Sequence, residues 1–212
     1  MQHILAFDTS AAHCAAALLS GDTCTTRIEA MPVGQAERLL PLLEDLLAGV
    51  GIGWRDLAAL GVGCGPGNFT GTRIAVAAAR GLALALGIPA VGVTTFEALA
   101  LGRDCTVVQD ARRGMVYAQR FADGSATGAA VMVAQDAPLP FDPGAVMTGD
   151  LAGVQAPRHG ARAVAPTYPL PEAIARIARS RHAGAVARPA PLYLRPADAA
   201  PPRGGPPVIL PG

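Results

Sequence analysis

Apolar and polar positions along the chain change period several times. Residues 3–8, His-Ile-Leu-Ala-Phe-Asp, form a short apolar run that closes on the polar turn Asp8-Thr9-Ser10, which predicts a strand feeding a tight turn. A second run from Cys14 to Leu19 ends at Ser20-Gly21-Asp22, and the threonine-rich stretch Thr23 to Ile28 follows. Gly-Asp between two β-prone runs predicts a hairpin, so the chain opens with an antiparallel meander. The period then becomes helical. Leu39, Leu40, Leu43, Leu47 and Val50 recur at helical spacing. Leu42 and Leu46 widen the stripe to an arc of ~160°, and Pro41 predicts a late start or a kink. A strand at 60–63, a glycine-rich loop, a helix from about Thr72 to Leu86 and a buried strand from Ala90 to Val93 complete a β-α-β unit. Such a unit predicts a parallel strand pair joined by a right-handed crossover.

Around Gly102-Arg103-Asp104 the pattern restarts. Strands are predicted at Thr106 to Val108 and Met115 to Phe121, separated by the turn Ala111-Arg112-Arg113-Gly114, with weaker strands near Ala129 to Val133 and Val146 to Thr148. Pro171 to His182 reads as a helix with Ile174, Ile177 and Ala178 on one face. Two α/β lobes result, 1–102 and 103–195, the second poorer in helix, followed by a Pro-rich tail at 196–212 whose composition predicts disorder.

Composition narrows the chemistry. Half of the 212 residues are hydrophobic (51%), 16% are charged and the formal net charge is +1, ample material for a core and little reason for the chain to grip nucleic acid or an anionic membrane alone. All 17 basic residues are arginine. Without a lysine, a Walker A loop, a Schiff-base lysine and a kinase phosphate lysine are excluded. The four cysteines have no Cys-x-x-Cys spacing, which removes zinc-ribbon and thioredoxin readings and favours free thiols. The N-terminus lacks the marks of a signal peptide, and the apolar stretch Ile74 to Val91 is interrupted by Arg80, Gly81, Gly87 and Pro89. That stretch reads as a buried helix and strand, and the expected location is the cytoplasm, with no membrane partner.

Gly61 to Arg73 holds the densest local signal, five glycines and a proline between a strand and a helix start, with Thr70 or Thr72 available as N-cap. Two readings stand. Gly65, Gly67 and Gly71 suit an anion cradle, with Asp8, Thr9 and Ser10 at a neighbouring strand end. They suit equally a tight connection whose glycines permit close packing. Arg112 and Arg113 read as a phosphate fork or as a charged hairpin tip. The four histidines never sit three or four apart, so no metal site and no catalytic residue is assigned. The second helix places Ile74, Ala77, Ala78, Gly81, Leu82 and Ala85 on one face, mostly small. Its cover is either the chain's own sheet and first helix or another subunit. The interface candidates are Leu39, Leu40, Leu43, Leu46 and Leu47 with Ile74, Ala78 and Leu82. Charge at Leu46 is expected to abolish pairing without unfolding the lobe.

Several blocks carry a resemblance: Ile4 to Ser10, Gln35 to Pro41, Gly65 to Ile74, Gly87 to Val93, Asp110 to Gly114 with Val116-Tyr117, and Pro191 to Arg195. In order and spacing they resemble the bacterial TsaB (YeaZ) family. The resemblance implies an actin-like ATPase fold of two ribonuclease-H-like lobes with mixed sheets flanked by helices. It also implies a role as non-catalytic scaffold in threonylcarbamoylation of the adenosine beside the anticodon, in tRNAs reading codons that begin with A. The implied partners are the paralogous transferase TsaD and the ATPase TsaE, with homodimer formation in isolation, tRNA met only through the complex, and Arg112 and Arg113 as the candidate contacts to TsaE or tRNA. No cofactor is expected on this chain; ATP and metal belong to TsaE and TsaD. Where TsaD carries two metal-binding histidines, the matching positions here are Thr95 and Leu99. An ATP-dependent phosphotransferase of the actin-like superfamily and a metallopeptidase-like enzyme are the alternatives.

Overall fold

The opening meander forms as β1 (His3–Asp8), β2 (His13–Ser20) and β3 (Thr23–Ala30), antiparallel throughout, with Ile4 opposite Leu19 and Phe7 opposite Ala16. In the computed structural model, which describes residues 2–195, the chain continues through α1 (Gln35–Val50), β4 (Leu57–Gly63), α2 (Phe69–Leu86), β5 (Ala90–Val93) and α3 (Thr95–Ala100). The expected disordered tail at 196–212 lies outside the described residues. The first sheet runs β3-β2-β1-β4-β5, with β4 parallel to β1 and β5 parallel to β4.

A second sheet follows from β6 (Cys105–Asp110), β7 (Met115–Ala122), β8 (Ser125–Ala126), β9 (Val131–Ala134), β10 (Val146–Thr148) and β11 (Arg162–Ala163), with α4 (Ala152–Arg158) and α5 (Leu170–Arg181). Its order is β11-β10-β6-β7-β8, and β9 also pairs with β7. Read from the opposite edge, the first sheet has the same order and the same strand senses. Where the first unit has α1, the second has only turns and irregular chain at 135–145, which accounts for its shortage of helix. α5 follows the second sheet in sequence yet packs on the first, its Ala173, Ile174, Ile177 and Ala178 joining Ile4, Ala6, Ala17 and Leu19 in one buried cluster.

Both faces of the first sheet are therefore covered, which explains why β1 reads as a continuous apolar run. Leu5 and Phe7 point to one side, into a core with Leu18, Leu60, the α1 leucines and Ala75, Val76 and Ala79 of α2; Ile4 and Ala6 point to α5 on the other side. α2 is long and apolar enough to cross a membrane by length and composition, and here one of its faces lies in this core.

The structure corrects the interface candidates. Leu39, Leu43, Leu46 and Leu47 are each 2% exposed or less, buried with Leu42 against the chain's own sheet. The wide stripe on α1 is consumed by sheet and neighbouring helix, so no second subunit is needed to cover it. Ile74, Ala78 and Leu82 are half-buried at the rim of that core, and Leu40 is exposed. α1 also begins before Pro41, at Gln35, and the proline sits exposed within it. The missing prolyl N–H forfeits one helical hydrogen bond and leaves the buried leucine face in place.

Leu46→Glu is accordingly expected to unfold the first lobe rather than to cut a surface contact, because an unpaired carboxylate would enter a dry core. Leu46→Ala should lose ~2–5 kcal/mol of stability, whereas Leu84→Ala on the open side of α2 should change it by less than about 0.5 kcal/mol. Thermal melts followed by circular dichroism distinguish the three.

Candidate functional site

The two segments singled out for chemistry, Asp8-Thr9-Ser10 and the glycine-rich loop, meet at the same ends of β1 and β4. Asp8 is fully buried, and its Oδ1 accepts the Ser10 backbone N–H, the Ser10 hydroxyl and His13 Nε2, each at 2.9 Å. Its Oδ2 lies against Gly63, where any Cβ would overlap the carboxylate. The Thr9 hydroxyl donates to the Gly71 carbonyl at 2.6 Å, and the Asn68 N–H donates to the Ser10 carbonyl at 2.6 Å. At Gly67 and Gly71 a Cβ would strike the carbonyls of Ser10 and Thr9.

This contact is the close approach that the packing reading of the loop requires. The carbonyls of Ser10 and Thr9 occupy the side of the loop that a Cβ at Gly67 or Gly71 would take. The N-cap of α2 is Asn68, not Thr70 or Thr72: its Oδ1 accepts the N–H groups of Thr70 (2.9 Å) and Gly71 (3.0 Å). Those are the donors a phosphate would have sought at a helix N-terminus. Asp8, Thr9, Ser10, Gly65, Gly67 and Gly71 do come together, at a close backbone-to-backbone junction. Gly65 takes φ 81°, and its carbonyl accepts the Thr95 N–H at 2.8 Å, while the Cys64 carbonyl accepts Leu192 N–H at 2.8 Å. α3 and the C-terminal segment therefore hang from the same loop.

At the positions where the resemblance places metal ligands, Thr95 is buried and donates its hydroxyl to the Pro66 carbonyl (3.4 Å), while Leu99 packs against the core around Phe96 and Phe121. Among the described residues no group of three His, Cys, Asp or Glu side chains is arranged to hold a metal ion. Burial pushes the Cys14 and Cys64 thiols up to about 11, which leaves both protonated and unreactive at neutral pH.

Arg112 and Arg113 form the tip of the β6–β7 hairpin, with φ of 62° and 54°. The Arg112 N–H donates to Asp110 Oδ1 at 2.8 Å, and its guanidinium, on a side chain 83% exposed, stands 3.4 Å from Asp110 Oδ2. Two features escaped the reading of the sequence. A cavity of about 670 Å³ lies between the lobes, lined in part by Thr94, Glu97, Gln119, Phe121 and Leu192, with an Arg181–Glu97 ion pair of 2.8 Å at its wall. Phe69, Arg73 and Tyr193 form a surface stack, with Arg73 Nε donating to the Tyr193 hydroxyl at 2.7 Å. The available signal was the scarcity of aromatics, since Phe69, one of only nine, falls among glycine, asparagine and threonine rather than in an apolar run.

Glycine substitutions separate close approach from mere flexibility. Gly71→Ala should cost about 1–3 kcal/mol by driving a methyl into the Thr9 carbonyl. Gly81→Ala, with open space at its Cβ position, should stabilise α2 by roughly 0.5–1 kcal/mol. Urea titration of both variants checks the contrast; equal effects would show that the junction is not tightly packed.

The chain can now be set beside known proteins. Residues 34–146 match the family model described as "TsaD: tRNA N6-adenosine threonylcarbamoyltransferase". An uncharacterized protein of Mycobacterium tuberculosis is 42% identical over 174 residues, 78% of this chain and 77% of that one. The tRNA threonylcarbamoyladenosine biosynthesis protein TsaB of Escherichia coli is 40% identical over 121 residues, 54% of this chain and about half (52%) of the relative. The solved structure of YeaZ from Pseudomonas aeruginosa superposes with a TM-score of 0.71 at 31% identity, covering 92% of this chain and 100% of that one. Two mixed sheets flanked by helices are the actin-like architecture that the resemblance implied. The chain belongs to the TsaB (YeaZ) family.

Proposed function

We propose that this chain is the non-catalytic subunit of an assembly that attaches threonylcarbamoyl to the adenosine beside the tRNA anticodon. It does so by docking its α1–α2 layer onto a TsaD-type transferase. The observation that carries the reading is the outer face of that layer. Leu84 is 87% exposed, Leu40 45% and Val50 42%, and Ala77, Gly81 and Ala85 lie exposed beside them on α2. An apolar face of small residues on a packed helix lets another helix approach closely, with Leu84 as the side chain that gains most from being covered. The interface is thereby moved outward from the buried leucines to Leu40, Ala77, Gly81, Leu84 and Ala85, with Ile74, Ala78 and Leu82 at its inner rim.

A partner carrying the same fold would present corresponding helices, so a pseudo-symmetric helix pack is the natural arrangement, and a second copy of this chain competes for the same face. The filled junction at Asp8 and the hydrogen-bonded or packed side chains at Thr95 and Leu99 support placing the chemistry elsewhere. ATP and metal are then held by the TsaE-type ATPase and the transferase, and tRNA is met through the complex.

Leu84→Glu is expected to weaken association with a purified TsaD-type partner by about 30-fold or more, the ~2 kcal/mol of a central interface residue, and to dissociate any homodimer. Its thermal melt should match the parent. Size-exclusion chromatography of the mixed proteins provides the measurement. Undiminished co-elution of Leu84→Glu would overturn the assignment of this face.

A further inference from the structure

The aromatic inventory is small, five phenylalanines, three tyrosines and one tryptophan, and only Phe69 and Tyr193 among them are exposed, at 41% and 43%. Those two touch across a large sequence separation, with ring centroids 5.1 Å apart. Arg73, one turn beyond Phe69 on α2, lays its guanidinium 3.6 Å above the Phe69 ring and 5.5 Å from the Tyr193 centroid. Tyr193 is delivered by the C-terminal segment, which is pinned by the Leu192–Cys64 hydrogen bond at 2.8 Å and by Arg80 Nε donating to the Pro189 carbonyl at 2.7 Å.

Two residues beyond Tyr193, Arg195 extends Nη2 to the Arg112 carbonyl at 3.5 Å. The result is a ridge, Phe69–Arg73–Tyr193–Arg195–Arg112, that runs from the start of α2 in the first lobe to the hairpin tip of the second. The acids facing it are Asp110, paired with Arg112, and Asp150, which accepts the Asp110 N–H at 3.0 Å. The Arg112 side chain is mostly exposed, so that pair is screened by water and leaves its guanidinium open to a second anion. On a chain of net charge +1 this concentration of cations is local.

We propose that this ridge is a docking site for an unpaired RNA loop, an inference that rests on the tRNA-modification reading above. Exposed rings offer stacking faces to splayed bases of any identity, and guanidinium groups take the intervening phosphates as rigid forks. A duplex keeps its bases stacked inside, so the rings would gain nothing from it. A protein partner laid across the ridge would have to bury three guanidinium groups against two carboxylates, of which Asp110 already pairs with Arg112 and Asp150 already accepts the Asp110 N–H. The charge balance favours an anionic strand. Because Phe69 and Arg73 begin the helix whose outer face takes the partner, RNA on the ridge would lie at the seam of the assembly.

The test uses the reconstituted complex of this chain with its transferase. Fluorescence anisotropy compares an RNA stem-loop with a blunt RNA duplex of equal length, over a range of salt. The double variant Phe69→Ala/Tyr193→Ala should weaken stem-loop binding by about tenfold and leave duplex binding unchanged. Arg112→Asn, which keeps a residue tolerant of the left-handed backbone, should flatten the logarithmic salt slope by ~0.7. Unaltered stem-loop affinity in an intact complex would overturn the inference. So would loss of co-elution by the double variant, which would make the ridge a protein interface, and so would equal affinity of the parent complex for loop and duplex. A parent pair that does not assemble at all defeats the scaffold reading itself, a result separable from the RNA arms.

Discussion

Everything in the first lobe depends on two stretches of backbone being allowed to touch. The β1–β2 turn and the β4–α2 loop approach so closely that Gly63, Gly67 and Gly71 have no room for a Cβ. In exchange, the Asp8 carboxylate is buried with three donors on one oxygen, and the Ser10 carbonyl and Thr9 hydroxyl are both satisfied across the junction. Those donors make the buried Oδ1 tolerable, while Oδ2 is buried without a hydrogen-bond partner among the described residues. The same loop then supplies the carbonyls from which α3 and the C-terminal segment are suspended, so the junction positions elements more than a hundred residues apart.

The same junction shows how closely a glycine-rich loop can pack in this fold. Glycines at a strand-to-helix turn serve an anion when the space before them is empty, and serve packing when it is full. Here the carbonyls of Ser10 and Thr9 stand against Gly67 and Gly71, and Asn68 Oδ1 accepts the N–H groups of Thr70 and Gly71. The second lobe repeats the strand order of the first and a comparable close approach, Gly149 lying against the Val108 carbonyl. It lacks the helix that α1 provides. The missing cover is compensated unevenly, because α5 crosses back to the first sheet. The first sheet is thus wrapped on both sides while Ala77, Gly81, Leu84 and Ala85 on the outer side of α2 stay exposed.

Much of this was legible in the sequence. The opening meander, the two long helices, the parallel β4–β5 pair, and β6 and β7 follow from period and punctuation, because strands and helices of that length leave strong repeats. What periodicity does not encode is the identity of the neighbour. The ~160° leucine arc on α1 looked wider than one contact requires. It is filled by one sheet and one helix together, since Leu39 and Leu43 face the same core as Leu42, Leu46 and Leu47. The short helix α3 was passed over because its six residues carry too few repeats, although Thr94 and Glu97 form a capping box at its start. α4 was passed over because Pro157 reads as a breaker. The choice of Asn68 over Thr70 as cap turns on where the chain leaves β4, a tertiary matter. The return of α5 to the first sheet has no local signature at all.

The division of surface follows from the same economy of residue types. A chain that fills its interior with alanine, valine and leucine has small side chains on both sides of α2, and its outer row has no protein atoms above it. Its charged groups are few, and every cation is an arginine, so recognition by this protein relies on planar, fixed geometry rather than on diffuse charge. One end of α2 pairs that geometry with the exposed aromatics, and the middle of the helix presents only methyl and methylene groups. An apolar helix face and an arginine–aromatic stack on one continuous helix suit different occupants, one that must be dry and one that carries charge.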